Sequence, residues 1–203
     1  MRALFGGTFN PVHQGHIALA RQVRAAFELD SVAFIPSFHS VHRAQPQATA
    51  EQREHMLRIA LQPFPELVED SCELQRQGPS FTVDTLRALK QAAPRQDLCW
   101  LMGVDAFNGF ADWHRPDEIL QLANLIVCAR PGVALQAGRF AERFLAGDEQ
   151  LTDFDAGRIA LFDMSPSPCS STRIRHQLAQ GETAADCLPP AVLEFIHQQS
   201  LYR

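Results

Sequence analysis

The sequence predicts an α/β fold: a Rossmann-like, doubly wound parallel sheet with helices on both faces. Two observations carry this. Ala3–Phe5 and Ser31–Pro36 are apolar runs separated by a segment of helical periodicity. A strand–helix–strand unit that short implies a parallel pair joined by a right-handed crossover. The later run Leu98–Met102 is apolar without alternation, as expected where both faces of a parallel sheet are covered.

The first strand ends in Gly6, Gly7 and Thr8, a turn with little side-chain bulk where backbone N–H groups can approach an anion. Pro11 keeps its predecessor extended, so the first helix begins after it and runs to near Glu28, with Ile17, Ala20, Val23 and Phe27 three or four apart. His13 and His16 stand at its start, on one side. Strand, small-residue loop and helix N-terminus make a place to hold phosphate, and two imidazoles add donors. His-x-x-His could also be half of a zinc site, but no Cys or acidic partner stands at ligand spacing nearby.

After the second strand, residues 37–48 lack periodicity and carry His39, His42, Arg43 and Pro46. Long connections at strand C-termini bind ligands in doubly wound sheets, although a solvated loop explains the same residues. Thr49-Ala-Glu-Gln52 is a capping box opening a helix to about Leu61, whose Arg53 is within reach of the site but reads as a solvated surface residue. Leu67–Asp70 is a short strand. Ser80 and Thr82 suit N-capping of a helix to about Ala92, and the same helix start could bind a carboxylate or phosphate. Asp97–Gly103 is a central strand leading to Gly103-Val104-Asp105. Trp113 beyond it either stacks a planar ligand ring or packs in the core, while Trp100 reads as core. Asn124–Ala129 is a further strand, with Arg130 at the same rim. A helix is expected around Arg139–Leu145 and a last strand at Gly157–Met164. Ser170 or Ser171 then caps a helix to about Gln180, whose hydroxyls and Arg175 form a second candidate phosphate cradle. A terminal helix covers Ala191–Gln198.

Composition bounds the partners. A chain of 203 residues fits one α/β domain, 1–203, with a C-terminal helical part from about 165. With 46% hydrophobic and 20% charged residues it reads as soluble and globular. A net charge of -5 leaves no basic surplus for a nucleic-acid polymer. Cys72, Cys99, Cys128, Cys169 and Cys187 are odd in number, scattered and without Cys-x-x-Cys, so reduced thiols of a cytoplasmic protein are expected. A strand starting at residue 3 leaves no room for a signal peptide, and no apolar run approaches membrane-spanning length. Monomer and homodimer are both compatible with the sequence.

Gly6-Gly7-Thr8-Phe9-Asn10-Pro11-Val12-His13-Gln14-Gly15-His16 resembles the signature of the nucleotidyltransferases with His-x-Gly-His at their centre, which transfer a nucleotide monophosphate to a phosphate-bearing acceptor. Within them the chain is most similar to the bacterial nicotinate-nucleotide adenylyltransferases, through Pro79-Ser80-Phe81-Thr82-Val83-Asp84-Thr85, Gly103-Val104-Asp105 with Trp113, Ser170-Ser171-Thr172-Arg173-Ile174-Arg175 and the ending Leu201-Tyr202-Arg203. Departures are Asn10 for Asp, Ser40-Val41 for Pro-Pro before His42-Arg43, Phe81 for Tyr and Cys169 for Ile. The resemblance implies adenylyl transfer from ATP to nicotinate mononucleotide, giving deamido-NAD and pyrophosphate in NAD biosynthesis. It implies His13, His16 and Arg175 as catalytic residues. It places Gly6, Gly7, Thr8, Phe9, Gly103, Asp105, Arg130, Ser170, Ser171 and Thr172 at ATP, and His42, Arg43, Ser80, Phe81, Thr82, Thr85, Asp105 and Trp113 at the acceptor. The sequence shows no dedicated metal cluster, so Mg²⁺ is expected to travel with ATP. Alternatives are another acceptor, nicotinamide mononucleotide or phosphopantetheine, or a nucleotide-binding sensor without turnover.

Overall fold

The apolar runs fold as strands β1 (Arg2–Gly7), β2 (Ser31–Pro36), β3 (Leu67–Glu69), β4 (Leu98–Gly103), β5 (Asn124–Ala129) and β6 (Ile159–Asp163). The computed structural model describes residues 1–39, 46–76 and 78–203. All six strands pair in parallel, in the order β3-β2-β1-β4-β5-β6. This is the doubly wound arrangement the sequence predicts. The order reverses between β1 and β4, and such a switch point opens a crevice outside the strands' carboxyl ends.

Successive strand side chains point to opposite faces. Ala3, Phe5, Val32, Phe34, Cys99 and Leu101 join one core cluster with residues of α1 (Gln14–Ala26), α2 (Ala50–Leu61), α7 (Ser171–Ala179) and α8 (Pro190–Gln198). Leu4, Ala33, Ile35, Trp100 and Met102 join the other, with residues of α4 (Thr82–Ala92), α5 (Val104–Asn108) and α6 (Pro116–Leu122). Helices therefore cover both faces.

Several sequence expectations need correction. α5, α6 and α3 (Cys72–Arg76) were not foreseen, and the segment near Arg139–Leu145 is a 3-10 turn at Gly138–Arg143. α4 starts at Thr82 after Phe81 and has no side-chain cap, so Ser80 and Thr82 are not caps. Nor are all five thiols reduced. Cys169, just before α7, is bonded to Cys187, just before α8, where the folded chain brings their Cα atoms to 5.3 Å. Cys72, Cys99 and Cys128 are free thiols, each pushed up to about 12 chiefly by burial. No described helix is long and apolar enough to cross a membrane.

Candidate active site

β1 and β4 stay paired from Arg2 and Leu98 to Phe5 and Leu101, yet β1 continues to Gly7 and β4 to Gly103. The two strand ends part there, over a cavity of about 960 Å³. Gly6, Gly7, Thr8, Phe9 and His16 line it from the β1 side, and Gly103 and Asp105 from the β4 side. Ser171 and Arg175 reach it from α7, while Ser80, Phe81, Thr82, Trp113 and His114 add an aromatic stretch of wall. The glycines are needed for packing as well as for anion approach. A Cβ on Gly6 would run into the Trp100 ring, and one on Gly7 would come within 2.9 Å of the Phe9 ring. Trp100 is thus buried, as expected, but its ring also floors the crevice.

The end of β1 and the loop after it have their carbonyls held by donors from other segments. Gly7 O accepts from Ser37 N–H at 2.9 Å, Thr8 O from Arg53 Nη1 at 2.9 Å, Asn10 O from Arg175 Nη1 at 2.8 Å and Pro11 O from the Ser171 hydroxyl at 3.0 Å. Two residues that the resemblance assigns to the triphosphate, Ser171 and Arg175, therefore also tie α7 to this loop. Asn10 Oδ1 accepts from the Tyr202 hydroxyl at 2.6 Å, so its side chain faces the C-terminal residues rather than standing free where the family carries Asp.

His13 is the residue that opens α1, and its ring stacks on His16 with centroids 3.7 Å apart. His16 lines the cavity, and its Nδ1 accepts from the His13 backbone N–H at 3.3 Å, which leaves its proton on Nε2. His13 departs from the expected contact with ATP: it is 5% exposed and, unlike His16, off the cavity wall, with its Nδ1 buried without a partner among the described residues. Burial lowers its pKa to about 4, so it is neutral at pH 7. Gly15 is compatible with this pair because a Cβ there would press within 3.1 Å of the His13 ring.

On the aromatic stretch of wall Trp113 packs edge-to-face on Phe110 at 5.6 Å and also lines the cavity. Phe81 lies 4.5 Å from the His114 ring. Thr85 departs from expectation. It is fully buried, donates to Glu73 Oε1 at 2.6 Å and lies off the cavity wall, so it fastens the start of α4 instead of touching a ligand. Ser80 lines the cavity while its Oγ accepts from Phe38 N–H at 3.0 Å. Arg130 pairs with Asp105 at 2.9 Å, and only Asp105 is on the wall. Ser170 caps α7 by accepting from Arg173 N–H at 3.2 Å and, like exposed Thr172, is not part of the wall. His42 and Arg43 lie outside the described residues.

Sequence reasoning missed Glu73, Asp112, His114 and the Tyr202–Asn10 bond, and took Arg53, though within reach of the site, for a surface residue. Glu73 is buried, which raises its pKa, and it lines the cavity. Arg53 is 1% exposed and not the surface residue its helix suggested. Only His114, adjacent to Trp113, carried a local signal.

Residues 4–177 match the cytidylyltransferase-like family model. A Salmonella typhimurium protein named nicotinate-nucleotide adenylyltransferase is 39% identical, with 100% of this chain and 99% of that one covered. A chain from Aeromonas hydrophila named "Probable nicotinate-nucleotide adenylyltransferase" is 40% identical over 98% of this chain and 96% of its own. In fold, the chain is similar to Plasmodium falciparum nicotinic acid mononucleotide adenylyltransferase, solved in complex with NaAD, with a TM-score of 0.75 at 14% identity over 99% of this chain and 96% of that one. The chain belongs to the cytidylyltransferase-like family and, within it, to the nicotinate-nucleotide adenylyltransferases.

Proposed function

We propose that the protein transfers the adenylyl group of ATP to nicotinate mononucleotide, forming deamido-NAD and pyrophosphate. The observation that carries this is one cavity walled both by Gly6, Gly7, Thr8 and His16 with Ser171 and Arg175 and by the aromatic group Phe81, Trp113 and His114. The first set suits a polyphosphate and the second a planar pyridine ring. The functional unit is the whole chain, 1–203, since α7 bonds directly to the Asn10–Pro11 segment.

The acceptor phosphate is itself the nucleophile. Its oxygen forms a bond to the α-phosphorus of ATP, and the bond from that phosphorus to the bridging oxygen breaks, the electron pair leaving on pyrophosphate. Such transfer depends on alignment and on donors placed where charge develops. His16 supplies Nε2–H, with neutral His13 stacked against it. Arg175 and Ser171 face the departing phosphates, while Gly7 and Thr8 line the anion pocket. Trp113 and Phe81 hold the pyridine ring. A divalent cation such as Mg²⁺ would accompany ATP and neutralise phosphate charge, and among the described residues no cluster of carboxylate, histidine or cysteine side chains is built to hold it apart from the nucleotide.

The test is pyrophosphate release with Mg²⁺ and ATP, offering nicotinate and nicotinamide mononucleotides separately. Strong preference for the nicotinate form is expected. Equal use of both would remove the acceptor assignment and leave adenylyl transfer standing. In the same assay His16→Ala should lose about a hundredfold in rate, the scale of one electrostatic donor. Near-normal turnover would take His16 out of the reaction.

A further inference from the structure

Arg53 is a cation withdrawn from water and, among the described residues, in no ion pair; exposed Glu51, two residues back, and Tyr202 act on it only at longer range. It is 1% exposed, and no carboxylate among the described residues lies within 4 Å of its guanidinium. Nη1 donates to Thr8 O at 2.9 Å and Nη2 to Phe38 O at 3.4 Å, while Nε has no partner among the described residues. A buried, unpaired charge is costly, and a packed apolar residue would serve a purely structural role better. Its location supplies a reason for keeping it. The Thr8–Phe9 peptide is trans, so a Thr8 carbonyl turned back to Arg53 turns the Phe9 N–H the opposite way, on a loop whose Thr8 and Phe9 line the cavity. Phe9 holds a left-handed backbone, φ +47°, which a non-glycine residue keeps only when its surroundings impose it. The guanidinium also polarises that peptide and strengthens its N–H as a donor.

We propose that Arg53 is a positioning residue for the polyphosphate of ATP, acting through the Thr8–Phe9 peptide. Its counter-charge is the bound nucleotide. This rests on the adenylyl-transfer reading for the identity of the ligand, but its test does not require turnover.

Binding of ATP and of inorganic pyrophosphate to the full chain is measured by titration calorimetry for the unaltered protein, Arg53→Met, Arg53→Lys and Arg58→Met. Arg58 is an exposed residue of the same helix and controls for net charge. Arg53→Met should weaken both ligands roughly tenfold or more, the scale of a charge-assisted hydrogen bond. Nicotinate mononucleotide affinity should change less than about threefold, as for a separate set of contacts, a split that general unfolding would not produce. Arg53→Lys keeps the charge but not the two-pronged grip, and should fall between. Arg58→Met should match the unaltered protein. If folded Arg53→Met binds ATP and pyrophosphate within about twofold of the unaltered protein, less than one such bond, the proposal is overturned. If Arg53→Met does not fold, Arg53→Lys decides, and unaltered binding there overturns it equally. An unaltered protein that binds pyrophosphate but makes no deamido-NAD would sink the function reading and leave Arg53 standing.

Discussion

His13 owes its neutrality to burial, and this has a consequence for stability. In the unfolded chain its imidazole titrates near pH 6.5, whereas in the folded protein burial lowers that to about 4. Between those values the unfolded state holds the proton and the folded state does not, so stability falls as pH falls from 6.5 toward 4. The full difference is about 3 kcal/mol at most, present above pH 6.5 and gone near pH 4. Urea unfolding across that window should show the decline. His13→Asn, which can still open a helix but does not titrate, should flatten it. An unchanged slope would mean that other groups govern acid stability. At this scale legibility follows sequence distance. The His-x-Gly-His signature is local, so its placement at the start of α1 could be read directly. Arg53 and Thr8, or Tyr202 and Asn10, meet only in the fold, and no short-range pattern marks either pair.

Elements were readable where burial is continuous or a cap is written out. β2 and β5 have the bounds their apolar runs suggest, and α2 opens on the Thr49–Gln52 capping box. α3 and α5 span five residues each, too short for a helical period to repeat. The odd number and scatter of the cysteines gave no warning of the Cys169–Cys187 bond, because it joins the lead-ins of two helices that meet only in the fold. α7 separates two kinds of serine that the family motif lumps together. Ser170 caps the helix from outside the cavity wall, whereas Ser171 is on the wall and donates to Pro11 O. Ser170→Ala should therefore cost about 1 kcal/mol of stability and leave KM for ATP close to normal. Ser171→Ala should raise KM for ATP severalfold, with a hydrogen bond of about 1 kcal/mol lost. Thermal unfolding and pyrophosphate-release kinetics on both variants check this. If KM moves with Ser170 instead, the nucleotide lies further along α7 than the cavity indicates.

Across the whole molecule the reversal of strand order decides what meets what. Both halves of the sheet deliver residues to one crevice: the β1 half brings Gly7, Thr8, Phe9 and His16, and the β4 half brings Gly103, Asp105 and, through the segment after α5, Trp113 and His114. The doubly wound class was legible because buried parallel strands are apolar throughout. The crevice itself was not, since it exists only where β1 and β4 outrun their pairing beyond Phe5 and Leu101. On the proposed function each half holds one ligand and both bind at once, as direct attack of one substrate on the other requires. A ligand held at a hundred times its Kd stabilises the folded state by about 2.7 kcal/mol, or about 5–10 °C in Tm for a chain of this length. A non-hydrolysable ATP analogue and nicotinate mononucleotide, each at that excess, should therefore give shifts that add when they are present together. A combined shift no larger than either alone would show the two ligands competing for one set of contacts. In that case the aromatic wall and the phosphate loop would be parts of a single nucleotide site, and the acceptor would have to enter elsewhere.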